Sequence, residues 1–303
     1  MGIPKVTVVI ATYNRETLLM DTIGDLLRQA PFQQGLVELL VIDQSATHQD
    51  TTTRKLEQLQ LQGAIQWIRV QQPGLTKARN LGISLSRGEY VIFVDDDVRI
   101  ENESFIMAHV NGLNLPHVAA VAGRILVPGE KPRMVSTKIG HLGFFGTREP
   151  GFGSDWSGPT QTLRGCNMSF RKRALEAIGG FDERYTRSAF REDTDVSWRL
   201  RKEGFELWFS SEAWLTHLSS PQGGTRDRSI VVDVDLIVND IRFASMNLRG
   251  VRKWAWLARI YGSRVIKAGL NRGKFPMRHA AFVNGMSEVA NDDPWHLVGE
   301  RNS

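Results

Sequence analysis

The chain has 303 residues, 41% hydrophobic and 23% charged, with a net charge of +5 at pH 7. That balance is ordinary for a folded domain with an appendage and excludes disordered and fibrous classes, while no apolar run approaches the roughly 18 residues that a membrane span needs. Cys166 is the only cysteine, which excludes intrachain disulfides, multi-cysteine zinc sites and iron–sulfur clusters and fits a reducing, cytoplasmic setting.

The first half alternates short β-branched runs with amphipathic stretches, the pattern of βαβ units. Strands are predicted at Val6–Ala11, Val37–Ile42, Ile65–Val70, Tyr90–Val94 and Val118–Ala122, and helices at Glu16–Gln29, Thr51–Leu61, Leu75–Ser86 and Glu103–Asn111. Several strands end in polar residues, at Thr12-Tyr13-Asn14, Asp43 and Asp95-Asp96-Asp97. Ligands of open α/β sheets bind outside such carboxyl ends, so these tips are expected to line one crevice. From Pro128 to Thr160 seven glycines and four prolines break the pattern around Phe144-Phe145, Phe152 and Trp156, which reads as a long active-site loop with exposed aromatics. Beyond it we expect strands at Leu163–Phe170, Phe205–Phe209 and Ala213–His217, and helices at Arg171–Ala177 and Thr194–Lys202. Ile230, Val234, Ile237, Ile241, Ala244 and Leu248 then recur at helical spacing.

Three runs carry chemistry. Asp95-Asp96-Asp97 places three like charges at the end of a buried strand, and a hard divalent cation that also bridges a diphosphate is the usual compensation. Gly74–Gly82 is a glycine-led helix start bearing Lys77 and Arg79, an anion site without the spacing of a P-loop or a dinucleotide-binding turn. Arg191-Glu192-Asp193-Thr194-Asp195 is the densest carboxylate cluster outside the Asp95–Asp97 turn, where a general base could stand. Cys166 reads as a small packed residue, with no histidine partner suggested nearby.

These runs, with Val6–Arg15, Gly165-Cys166-Asn167-Met168-Ser169-Phe170 and Gly179-Gly180-Phe181-Asp182-Glu183, resemble family 2 glycosyltransferases from about Lys5 to His217. The resemblance implies the GT-A fold, an α/β Rossmann-like, mostly parallel sheet flanked by helices, here with a C-terminal helical extension. It implies inverting transfer from a nucleotide sugar to a hydroxyl of a glycan or lipid-linked acceptor, assisted by Mg2+ or Mn2+. Thr12, Tyr13 and Asn14 would hold the nucleoside, Asp43 would accept the base imide N–H, and Lys77 and Arg79 would face the departing diphosphate. Asp95 and Asp97 would bind metal, Asp96 would share the donor site, and His217 would reach metal or diphosphate. Asp193 would be the general base, with Glu192 and then Asp195 next in line. Asp43-Gln44-Ser45 lacks the glycine usual at that place, so UDP- or dTDP-sugars are favoured on the strand-tip carboxylate alone. A sugar-phosphate nucleotidyltransferase and a non-catalytic sugar-nucleotide or glycan-binding protein are the rival classes.

The chain thus divides into a catalytic domain at 1–220 (donor half to 127, loop 128–160, acceptor half 161–220) and a helical basic tail at 221–303. Between Arg249 and Phe275 there are eight Lys/Arg and no Asp or Glu, and without this segment the chain would be net negative. Nucleic acid is therefore not an expected partner. Trp254, Leu257, Ala258, Tyr261, Val265 and Ala268 share one helical face of the tail and Arg252, Lys253, Arg259, Arg264 and Lys267 another. Such a helix suits peripheral contact with an anionic membrane through 249–275; packing on the catalytic domain, or on a second copy of the chain in a homo-oligomer, is the alternative.

Overall fold

A computed structural model describes residues 5–129, 139–146, 151–220, 223–224, 229–271 and 274–292. The chain runs β1 (Val6–Thr12), α1 (Glu16–Leu27), α2 (Ala30–Gln33), β2 (Val37–Asp43), α3 (Asp50–Leu61), β3 (Gln66–Arg69), α4 (Leu75–Leu85), β4 (Tyr90–Asp95), β5 (Val98–Arg99), α5 (Phe105–Leu113) and β6 (Val118–Leu126). It continues through β7 (Gly158–Thr160), β8 (Asn167–Arg171), α6 (Lys172–Ala177), α7 (Glu192–Lys202), β9 (Glu206–His217), α8 (Ser229–Asn247), α9 (Gly250–Ile260), a π-helical segment at Tyr261–Lys267, α10 (Ala268–Asn271) and α11 (Phe275–Asp292).

One sheet has the order β3-β2-β1-β4-β8-β6-β9-β5, with β7 paired to β9. The expected parallel character holds for β3-β2-β1-β4, whereas β8 lies antiparallel to both β4 and β6. Alternating side chains explain why the inner parallel strands are mostly apolar on both faces: Val6, Val8 and Ile10 bury against the α1 side, and Val9, with Leu40 and Ile42 of β2, against the α4 side. α4 approaches β1 so closely that a Cβ on Gly82 would lie 2.5 Å from Val9 Cγ1. This is the packing reason for that glycine.

Two strand boundaries differ from expectation. The strand predicted from Leu163 begins only at Asn167, because a turn closed by Asn167 N–H to the Arg164 carbonyl at 2.9 Å holds the preceding residues out of the sheet. The two strands predicted at Phe205–Phe209 and Ala213–His217 are the single β9, which bulges between Ser210 and Leu215 where β6 advances only from Gly123 to Ile125. Of the long loop, residues 130–138 and 147–150 lie outside the described residues. Phe144 and Phe145 are exposed as predicted, but Phe152 is buried against Phe209.

The tail closes a third core. Ile237, Ile241 and Ala244 of α8, with Leu248 just after it, pack with Trp256, Leu257, Ile260 and Val265 and with Leu142 and Tyr185 of the preceding half. Each such side chain removed from water contributes about 1.5–3 kcal/mol. The predicted helix faces are therefore corrected: Trp256 and Ile260, which interrupt the polar face in sequence, are fully buried, while Trp254 is 65% exposed. Two of the basic residues also turn inward. Asp240, buried, accepts from Arg191 Nε at 2.8 Å and Arg264 Nε at 2.9 Å, with Arg259 at 3.4 Å. Burial alone would raise its pKa, but the three guanidiniums outweigh that and hold it below the usual carboxylate range. Among the described residues no helix is long and apolar enough to cross a membrane.

Candidate active site

Register brings the strand tips together: Thr12 pairs with Asp43 across β1–β2, and Ala11 with Asp95 across β1–β4. Beyond them the three aspartates diverge. Asp96 turns inward, is 3% exposed, and accepts the Thr12 hydroxyl at 2.7 Å and Arg15 Nη1 at 2.8 Å. Burial pushes its pKa up to about 6 against the pull of Arg15. Asp97, also buried, accepts the Ser220 N–H at 3.0 Å and lies 3.2 Å from both Arg15 Nη1 and His217 Nε2. Burial would raise it too, but His217 and Arg15 prevail and its pKa is lowered. Only Asp95 keeps substantial exposure, at 33% of its side chain. The positive charge that the triplet demanded is thus partly intramolecular. Arg15 supplies it and also donates to the carbonyls of Ser220 and Gly223 at 3.3 and 3.2 Å, tying β1 to the segment after β9.

Arg79 joins this turn to the second acidic cluster. Its Nη1 stands 2.5 Å from Glu192 Oε1, and its Nη2 lies 3.6 Å from Asp95 Oδ1 and donates to the Gly165 carbonyl at 2.9 Å. A Cβ on Gly165 would meet Glu192 Oε1 at 2.8 Å and Arg79 Nη2 at 2.9 Å, so only glycine leaves room for the pair. Burial raises the Glu192 pKa to about 7, with Arg79 opposing and Asp193 adding to the rise. The three acids at the start of α7 then part company. Glu192 is held by Arg79, and Asp195 is held inside by Arg199 Nε and Asn247 Nδ2, both at 2.7 Å. Asp193, 9% exposed, accepts the Thr194 hydroxyl at 3.0 Å. Asp195 consequently has no path to the crevice, which removes it from the succession of candidate bases. Lys77 and Arg79 do not act as a pair either: two residues apart on a helix they face opposite ways, Arg79 buried and Lys77 exposed.

At the nucleoside end, Tyr13 is half-buried and Asn14, in the left-handed region at φ 56°, donates its N–H to Ser45 Oγ at 2.9 Å. Asp43 is fully buried and both its oxygens are engaged, Oδ1 by Ser45 N–H at 2.9 Å and Oδ2 by His48 Nε2 at 2.5 Å and Trp67 Nε1 at 2.8 Å. Oδ1, with a single donor, keeps acceptor capacity for a base imide, while Oδ2 holds His48 and Trp67 beside the tip of β2.

For a divalent ion, the residues fit. Ligand atoms of Asp95, Cys166 and His217 lie within 4.8 Å of one another, and the buried Asp97 Oδ1 stands 3.2 Å from His217 Nε2. Two carboxylates and an imidazole suit Mg2+ or Mn2+. Burial and the neighbouring Asp95 push the Cys166 thiol well up, so it sits there as a neutral group, but with His217 beside it rather than without a histidine neighbour as predicted. Sequence reasoning gave no role to Arg15, although it directly follows Thr12-Tyr13-Asn14. Nor did it find His109, which burial keeps at a pKa of about 4 and which binds Ser169 and Asn167 at 2.8 and 2.9 Å beneath the site. Lone polar residues on an apolar helix carry no signal in sequence.

The same order of motifs matches the profile described as Glycosyl transferase family 2 over residues 7–179. The chain belongs to this family. The transferase is 23% identical over 240 residues to the O-antigen biosynthesis protein RfbC of Myxococcus xanthus, a match covering 72% of the chain and 18% of that protein. It is 24% identical over 269 residues to the validoxylamine A glucosyltransferase of Streptomyces hygroscopicus subsp. limoneus, covering 80% of the chain and 56% of that protein. The chain therefore spans only part of the length of these curated relatives. Its fold is shared with the Pyrobaculum calidifontis mannosyltransferase PcManGT in complex with GDP-Man and Mn2+ (TM-score 0.59, 17% identity, 95% of this chain and 76% of that one). It is shared equally with Staphylococcus aureus TarS residues 1–349 in complex with UDP-GlcNAc (TM-score 0.60, 15% identity, 96% and 82%).

Proposed function

We propose that this glycosyltransferase is an inverting, divalent-metal-assisted enzyme that moves a sugar from a UDP- or dTDP-linked donor to a hydroxyl of a glycan or lipid-linked acceptor, with Asp193 as general base. The observation that carries this is the bridge made by Arg79, which stands between the exposed Asp95 and the Glu192-Asp193 start of α7. One buried cation thereby sets a donor-side carboxylate and an acceptor-side carboxylate at a fixed spacing, as a single in-line displacement requires. Membership of the family disfavours the nucleotidyltransferase and non-catalytic alternatives.

Asp95, Asp97 and His217 would hold the ion, which when bound offsets charge growing on the leaving diphosphate. The chain's own residues do the rest. Thr12 and Arg15 fix Asp96, so the turn keeps its shape while Asp95 remains open to the crevice. Arg79 holds Glu192 against the Gly165 backbone, which steadies the first turn of α7 and with it Asp193. An ionised Asp193 takes the acceptor hydroxyl proton as oxygen attacks the anomeric carbon, and one displacement inverts that carbon; such general-base assistance is worth typically about 10²–10⁴-fold. Arg79, already paired, orients rather than neutralises, and the exposed Lys77 remains available to a diphosphate only from the crevice rim.

Incubation with UDP-, dTDP- and GDP-sugars in the presence of Mn2+, scored for released nucleoside diphosphate, tests donor and metal together. Release from UDP- or dTDP-sugars that stops with EDTA is expected. Release from GDP-sugars alone would overturn the donor assignment, and release unchanged by exhaustive chelation would overturn the metal role. The preferred donor should also stabilise the fold, by about 2.7 kcal/mol at 100 times its Kd.

A further inference from the structure

A second cleft, with a volume of about 760 Å3, opens between the end of α7 and the junction of α8 with α9. Arg201, Lys202, Arg249 and Arg252 line it together with Trp198 and Asn247, and no carboxylate does. Two basic residues in the last turn of α7 would be ordinary helix-dipole chemistry by themselves. Two more converging from a different element are not. Elsewhere in this half of the molecule buried or half-buried arginines meet acids: Arg191, Arg259 and Arg264 meet Asp240, Arg199 meets Asp195 and Arg242 meets Glu288. Among the described residues none of the four cations of the cleft makes an ion pair. Arg252 is nevertheless held in place, its guanidinium 4.9 Å from the Trp198 ring, which itself packs edge-on against Phe243. Its Nε is buried without a hydrogen-bond partner. Partial desolvation and the charge of Arg252 push the Arg201 guanidinium below its ordinary value. One cation held against an aromatic ring with a donor unmatched, beside three exposed cations that no acid neutralises, is a binding site's arrangement more than a stabilising one.

We propose that this cleft binds the phosphate group of a phosphorylated acceptor, at a site distinct from the donor crevice. Guanidinium forks match phosphate oxygens, and Arg252, steadied by Trp198, gives the exposed Arg201 and Arg249 a fixed point around which to close on one. The cleft shares α7 with Asp193: eight residues separate Asp193 from Arg201, about 12 Å along a helix. A phosphate held there would anchor a glycan at a distance from the hydroxyl that reacts. The acceptor role rests on the function proposed above; the anion site does not.

The test uses the full chain with EDTA present, to keep metal-borne phosphate out of the donor crevice. Inorganic phosphate, then glycerol 3-phosphate, is titrated into wild type, Arg201→Gln/Arg252→Gln and Asp97→Asn, following the thermal midpoint and calorimetric heat. Wild type and Asp97→Asn should bind both probes, and the double variant should lose at least tenfold in affinity. An unliganded midpoint of the double variant equal to or above that of wild type, as expected when two like charges are removed, shows that it folds. Equal phosphate affinity in the double variant, or no saturable binding to wild type, overturns the site. If glycerol 3-phosphate binds more weakly than inorganic phosphate, the anion site stands and the acceptor role falls. If nucleotide sugars release no nucleoside diphosphate yet the double variant loses phosphate, the transfer reading fails and the cleft does not.

Discussion

The Asp95–Asp97 turn and the Glu192–Asp195 helix start each crowd three carboxylates within a few residues, yet they resolve the crowding differently. At the turn, Arg15 takes the two inner acids, Asp96 and Asp97, and the outer one, Asp95, is left open. At the helix start the acids are divided among three elements: Glu192 to Arg79 of α4, Asp195 to Arg199 of its own helix and Asn247 of α8, and Asp193 at the edge of the crevice. The first arrangement makes a rigid ledge with one solvent-accessible carboxylate, Asp95, beside an Asp97 that faces His217, suited to holding a cation. The second flanks Asp193 with two acids that are fixed by arginines, suited to positioning a base. A count of charges distinguishes neither from a solvated acidic turn. What distinguishes them is how the cations are shared out: one arginine on two acids at the turn, and separate partners for Glu192 and Asp195 at the helix start.

The largest effect expected from breaking this contrast is at Arg15. Arg15→Gln leaves Asp96 and Asp97 buried without their cation, and removing one partner of a buried pair costs about 3–5 kcal/mol. Urea unfolding measures it, and a cost below that of an ordinary surface substitution would mean that the ledge is held by something else. A smaller effect is expected at Gly165→Ala, where the new methyl must separate the Arg79–Glu192 pair; overpacking of this kind costs about 1–3 kcal/mol. Arg79→Lys in the same assay sharpens the comparison, because it keeps the charge and loses the reach to the Gly165 carbonyl.

The smallest is a pH slope. Glu192 titrates at about 7 in the folded chain against an ordinary value of 4.5. Between those values the folded state keeps a proton that the unfolded chain has released, so this group's contribution to stability falls as pH rises through the window, by at most about 1.4 kcal/mol per pH unit. Glu192→Gln should remove that component. The stability of wild type relative to the variant should therefore decline from pH 4.5 to 7, in denaturant midpoints taken at half-unit steps. A difference that stays flat would mean that the Arg79 pair keeps Glu192 ionised throughout.

Much of this was legible in the sequence because it rests on runs. The parallel strands read as apolar stretches ending in polar tips, and both acidic clusters stand as consecutive letters. What escaped was pairing at a distance. Nothing in sequence links Arg15 to residues 81 and 82 positions away, or Asp240 to three arginines of which one precedes α7, one lies in α9 and one beyond it. The tail misled for a related reason. Its stripe of basic residues looked like an exposed face, yet two of them are consumed by a buried aspartate, which also turns the helix to bury Trp256 in place of Trp254. Asp43 shows the converse: its place at a strand tip was correctly read, but its three local donors were not foreseen.

The division of labour between the two clusters is tested most directly by measuring donor affinity and transfer in the same pair of variants. Asp193→Asn is almost isosteric and keeps an oxygen for Thr194, so calorimetric titration with the preferred nucleotide sugar and Mn2+ should give a Kd near that of wild type while transfer falls about 10²–10⁴-fold. Asp97→Asn should weaken metal-dependent donor binding and transfer together. Loss of donor affinity in Asp193→Asn, or transfer within a few-fold of wild type, would contradict the assignment of the base to Asp193 and leave Glu192 as the candidate.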